Sequence, residues 1–310
     1  MNKLFQIAVV VFLTASFVIT GLAQKQKSKD DYIKEISTLS NTKKPEDLEK
    51  AYELSKEFLA KYPKEKGDIV NKIKDFVQRF RDNQFLVYLD QGKTADAFRL
   101  GAELLNENAD NSLVTMNLAY GGFMALAKNN DKSFNDQTIN YANKTISLLE
   151  AGKVPSNFAP FKDKDEATSW MYYILGNIQK DTDIKQAAHN FYLATKLETQ
   201  IKANSFPYYA IATYYEDIYQ KLATEYNTKV KTMSEAESKA QLEKVNKIVD
   251  LMLDAYARAV KRAEAENAPQ KDEWKKRMAD VYKFRKKTDA GFNEFITYIN
   301  TTELTDPINN

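Results

Sequence analysis

Alanine recurs at one helical phase along this chain, at Ala51, Ala97, Ala142, Ala188 and Ala257. The first four are 46, 45 and 46 residues apart, and the fifth lies 69 beyond. Each stands on the inner face of a predicted helix. In Thr94–Glu107, for example, Ala97, Leu100, Gly101, Leu104 and Leu105 form a single apolar stripe. A small side chain is required where two helices cross closely, because a larger one holds them apart. Helix stops follow about a dozen residues after four of the five, at Pro63, Ala109, Val154-Pro155 and Pro269. After Ala188 the stop comes later, at Asn204 and Pro207. A chain patterned this way builds antiparallel helix pairs. One pair cannot bury its apolar face alone, so the pairs must stack.

The composition agrees with long helices. Glycine numbers only 9 and proline 7 in 310 residues, too few for a sheet with many tight turns. Helices are predicted from about Asp31 to Asn41, Glu46 to Tyr62, Lys64 to Leu89, Thr94 to Glu107 and Ser112 to Ala127. Another ends in LLEAGKVP at Pro155, and then come Glu166–Gln179, Ile184–Ile201, Phe206–Tyr226, Met233–Asn267, Asp272–Lys287 and Ala290–Asn300. Residues 152–165 form the longest loop and the candidate bend between two halves. Residues 301–310 read as a disordered tail.

Several of these units resemble tetratricopeptide repeats. Leu175-Gly176, Ala188 and Tyr192 match that family's pattern in one unit. Tyr88, Gln91-Gly92, Ala97 and Asp110-Asn111 match in another, and Met278-Ala279 with Tyr282 suggest a final partial unit. The resemblance covers residues 31–300 and implies an all-α fold, a superhelical array of about five to six antiparallel helix pairs. The period here exceeds the family's length of about 34 residues, and a HEAT-like array is the alternative. The Leu-Gly and Gln-Gly details favour the former.

The first 23 residues carry an address. Lys3 precedes a nearly uncharged apolar run, Leu4 to Ile19, and Gly21-Leu22-Ala23 supplies small residues for processing. This is the pattern of a secretory signal peptide, with cleavage expected between Ala23 and Gln24. An uncleaved anchor is the competing reading. Residues 24–30 read as a flexible tether. The expected location is the periplasm, the cell envelope or the exterior of a bacterial cell, without stable membrane insertion after cleavage.

Cysteine is absent and His189 is the single histidine. Thiol catalysis, disulfides and Cys- or His-rich metal sites are therefore excluded, and no cofactor or metal is expected. His189 reads as an ordinary, partly exposed histidine. Lysine and arginine total 45 against 43 acidic residues, which removes any bulk electrostatic drive toward nucleic acid. Glu216 and Asp217 are neighbours on a helix, point about 100° apart and do not converge on one site. Asp165 reads as a helix cap with Glu166 behind it. The basic stretch Lys271–Lys287 reads as the solvated face of a terminal helix pair.

The aromatics say most about function. Adjacent pairs such as Tyr172-Tyr173 and Tyr214-Tyr215 are not expected to share one core. In tetratricopeptide arrays the first helices line the inner surface that holds peptides. By that resemblance Tyr120, Phe123, Trp170, Tyr173, Tyr214 and Tyr215 are the candidate groove residues. The expected function is a non-enzymatic scaffold binding a protein or peptide partner, with self-association open. A binder of glycan or peptidoglycan fragments is the alternative, and an enzyme with one groove glutamate the third reading.

Overall fold

The computed structural model describes residues 27–308, so the expected leader at 1–23, the start of the expected tether and the last two residues of the expected tail lie outside the described residues. Every regular element among the described residues is helical. The chain forms two compact units that divide between Asp82 and Asn83, inside the helix α3 (Asp68–Asp90). The division therefore does not fall at the 152–165 loop, which belongs wholly to the second unit.

In the first unit, α1 (Lys29–Thr42) pairs with α2 (Pro45–Lys61), and the first part of α3 follows. Lys29 and Asp30, expected in the tether, already belong to α1. The reason is a capping box: the Asp31 amide donates to Ser28 Oγ at 3.2 Å and the Ser28 amide donates to Asp31 Oδ2 at 3.1 Å. A cap of this kind stabilises a helix start by about 1 kcal/mol. Pro45 opens α2 at a position where its missing N–H costs nothing. Tyr32, Ile36, Phe58, Val70 and Ile73 form the core.

The second unit runs through α4 (Thr94–Glu107), α5 (Ser112–Asn129), α6 (Asn135–Glu150), α7 (Lys164–Gln179) and α8 (Ile184–Ala194). A short α9 (Gln200–Ala203) precedes α10 (Phe206–Lys229), α11 (Glu235–Glu266), α12 (Lys271–Lys286) and α13 (Phe292–Ile299). Residue pairings show the antiparallel register. Gly101 of α4 meets Leu118 of α5, and Gly122 of α5 faces Thr138 of α6. The hydroxyls of Thr115 and Thr145 lie 2.9 Å apart across the same α5–α6 pair. Between α7 and α8, Gly176 lies under Phe191 and Ser169 Oγ donates to the Ala194 carbonyl at 2.6 Å. All five recurrent alanines are buried.

Helix α8 ends at Ala194 rather than continuing to Ile201. The Ala194 carbonyl is taken by Ser169, and the Ser169 hydroxyl also meets Thr199 Oγ1 at 2.9 Å, which holds the turn against α7. Helix α10 is flanked by α8 on one side and α11 on the other. Its start is tied to the end of α11, where the Glu266 carboxylate accepts from the Ser205 amide at 3.0 Å and the Ser205 hydroxyl at 2.6 Å.

Residues 301–308, expected as a tail, pack against the helices. They continue from Asn300 as a strap that lies against α11 and α8. Arg258 of α11, only 5% exposed, donates to the Thr302 carbonyl at 2.9 Å and to Thr302 Oγ1 at 3.0 Å. Asn300 donates to the Ala257 carbonyl at 3.3 Å, Pro307 is buried, and Asp306 Oδ1 lies 3.0 Å from His189 Nδ1.

Candidate functional site

Helix α5 is the centre of the second unit. It is apolar almost all round, and buries Val114, Met116, Leu118, Ala119 and Phe123 among neighbouring helices. One face remains: Leu113, Asn117, Tyr120, Gly121, Met124, Ala125 and Lys128 floor a cleft of about 470 Å³. Their spacing is that of a single helical stripe. Leu86, Leu89 and Asp90 at the end of α3, with Gly92 and Thr94, form one wall. Asn157, Ala159 and Pro160 of the loop before α7 form the other. The volume suits a side chain or short segment of a ligand.

Local sequence explains each wall. Gly92 adopts φ +69°, the left-handed turn that ends α3 and returns the chain into α4. Gly121 carries no Cβ, and one placed there would come within 2.4 Å of Leu89. The opposite wall is fastened to the floor, since the Asn117 side-chain amide donates to the Leu113 carbonyl at 2.9 Å and the Ala159 carbonyl at 3.4 Å. It is also fixed at its far end. The Lys162 amide donates to Glu166 Oε2 at 2.7 Å, and the Glu166 amide to Asp163 Oδ1 at 3.0 Å. Asp163, and not Asp165, is therefore the cap of α7, which begins two residues earlier than expected.

Four of the six expected groove aromatics come together. Tyr120 lies edge to face with Phe161 and Trp170, at centroid distances of 5.4 and 5.8 Å. Trp170 meets Phe123 at 6.2 Å and Tyr173 at 5.5 Å, and Tyr173 reaches Phe191 at 5.9 Å. Tyr120 alone of these lines the cleft. Phe123, Trp170 and Tyr173 stand behind it as a ladder of rings joining α5, α7 and α8. Burial pushes the Tyr173 phenol above its usual pKa.

Tyr214 and Tyr215 are elsewhere and are corrected to core. Tyr215 is 1% exposed and Tyr214 7%, within the cluster between α8, α10, α11 and α12. Although they are neighbours on the helix, both belong to that one cluster, with ring centroids 5.4 Å apart, because α10 is packed by both α8 and α11. The sequence reading missed Asn117, Leu86, Leu89 and the 157–160 wall. One sign was present: Asn117 is an amide within the mostly apolar run from Val114 to Leu126.

The remaining candidates have structural partners. Glu216 accepts from Arg277 Nε at 2.6 Å, and Asp217 pairs with Lys221. Burial, with Glu216 beside it, raises the Tyr256 phenol. In the basic stretch, Lys275 pairs with Glu264, Arg285 with Asp250 and Lys283 with Asp289. Among the described residues there is no group of three or more His, Asp or Glu able to hold a metal ion, and no helix long and apolar enough to cross a membrane. Comparison with protein-family models, curated proteins and solved structures finds no match to this chain.

Proposed function

We propose that this chain is a non-enzymatic binding scaffold, exported to the cell envelope or beyond, which holds a segment of a protein or peptide partner. In this reading the helix pairs are tetratricopeptide-like units. Close crossings at Gly122 and Gly176, and contacts of α5 with α7 and α8 with α10, support the stacking. The observation that carries the function is the cleft itself. A stripe of the most buried helix of the unit, with Leu113, Tyr120 and Met124 partly exposed and Lys128 exposed along it, floors a cleft between two anchored walls.

The ring geometry favours a peptide over a glycan. Sugar binding needs aromatic faces turned outward. Here Tyr120, Trp170, Phe123 and Tyr173 meet edge to face, so the rings cover one another. A lone groove glutamate has no support at Glu216, whose carboxylate is held by Arg277.

A pull-down from envelope extract tests the reading. Leu86 is 40% exposed on the cleft wall, so Leu86→Glu changes the site without disturbing a core. Partners retained by the parent chain and lost by Leu86→Glu are the expected result. Identical retention by both would remove the cleft from the function.

A further inference from the structure

We infer that the cleft binds an extended peptide segment, which donates one backbone N–H to Asn117 Oδ1 and sets an adjacent apolar side chain of Leu, Met or Phe size on the floor. This rests on the binding reading above and names the ligand's chemistry. Asn117 is 95% buried by its 5% exposure, yet only half of its amide is used. Both side-chain hydrogen bonds run from Nδ2, to Leu113 and Ala159, and these fix which way the amide points. Among the described residues no donor reaches Oδ1, although the residue lines the cleft. Oδ1 is not among the buried polar atoms that lack a partner, so solvent reaches it, and a ligand N–H takes the place of water there.

The surroundings decide what brings that N–H. Leu89, Leu113, Met124 and Ala125 offer apolar contact and no hydrogen bond. A sugar ring carries several hydroxyls, most of which would face these side chains unpaired. An extended peptide presents one donor and one acceptor per residue and turns successive side chains to opposite sides. One N–H on Asn117 therefore goes with one apolar side chain on the floor. The neighbouring peptide carbonyls turn to the open side, where Asn157 accepts the Ala159 amide through Oδ1 and its side-chain N–H groups have no partner among the described residues.

The test pans the purified full chain against a random decapeptide library and, in parallel, an array of glycans and peptidoglycan fragments. The best decapeptide is resynthesised with one backbone nitrogen methylated at a time. Expected are peptides sharing a Leu, Met or Phe, with methylation at one nitrogen beside it weakening binding about tenfold, the scale of one hydrogen bond. Leu86→Glu should weaken the same peptide at least as much with its melting unchanged. In Asn117→Ala the methylated and parent peptides should bind equally. Tolerance of methylation at every position in the parent chain would overturn the assignment even if Asn117→Ala does not fold. Glycans bound in place of peptides, and lost in Leu86→Glu, would overturn the peptide while leaving a binding cleft. Binding of neither class that is sensitive to Leu86→Glu would overturn both.

Discussion

Gly122 faces the Thr138 hydroxyl so closely that a Cβ on Gly122 would sit 1.9 Å from Oγ1 and 3.0 Å from the Phe98 ring. Thr138 is fully buried and donates to the Phe134 carbonyl at 2.8 Å, so its hydroxyl has nowhere better to turn. Gly122→Ala should therefore force α5 and α6 apart and cost about 1–3 kcal/mol, despite alanine's higher helix propensity. Urea melts check this. Adding Thr138→Ala should restore part of the loss, and a strictly additive pair would show that the contact is not the cause.

The recurrent alanines should not respond alike to enlargement. Ala97 is fully buried in the α4–α5 core, and Ala97→Leu should cost about 1–3 kcal/mol. Ala188 is as well buried but borders a recess of about 210 Å³ between α8 and α10. Ala188→Leu has space to enter and should cost less. Equal losses in urea would mean that the recess cannot receive a side chain.

Tyr215→Ala should lower stability by about 3–5 kcal/mol, as for a fully buried ring. Trp170→Ala removes ring contacts to Tyr120, Phe123, Phe161 and Tyr173, each worth about 0.5–1.5 kcal/mol beyond burial. Both variants should melt well below the parent. A Trp170→Ala melt that matches the parent would instead return Trp170 to the binding surface.

Asp254 and Arg258 give a pH signature. Burial pushes the Asp254 carboxyl above its ordinary value of 3.8, with the neighbouring Arg258 opposing but not cancelling the shift. A carboxyl raised in the folded state favours folding most when protonated, and this contribution disappears as pH rises through its folded pKa. The stability of the parent relative to Asp254→Asn should thus be greatest below pH 3.8 and smaller at neutral pH. Paired melts across that range measure it, and a difference that grows with pH would contradict the assignment.

The helix pairs were legible because their signals are local. Apolar periodicity, the small residue at each crossing and the proline stops all act within one or two turns. Thr94–Glu107 matches the observed α4 at both ends. What escaped depends on partners distant in sequence. Ser169 closes α8 from 25 residues away, and Arg258 holds Thr302 across 44. The cleft shows the same limit. Tyr120 could be chosen as an aromatic of a first helix, but no local rule says that Leu89 and Ala159 will leave Asn117 half used. Tyr214 and Tyr215 were misplaced because the flanking of α10 by two layers is a tertiary fact.

The strap over 300–308 is held by contacts far apart in sequence, which bears on the order in which the fold can close. Helix pairs join neighbours in the chain, whereas the His189–Asp306 contact spans 117 residues. Near contacts close quickly and distant ones slowly. The pairs can therefore assemble while the strap is still loose, and the clasp across α8 and α11 is expected to close after them. Tension applied to that end would meet the clasp first, and α8 and α11 would lose their shared tie before either helix lost its own partner.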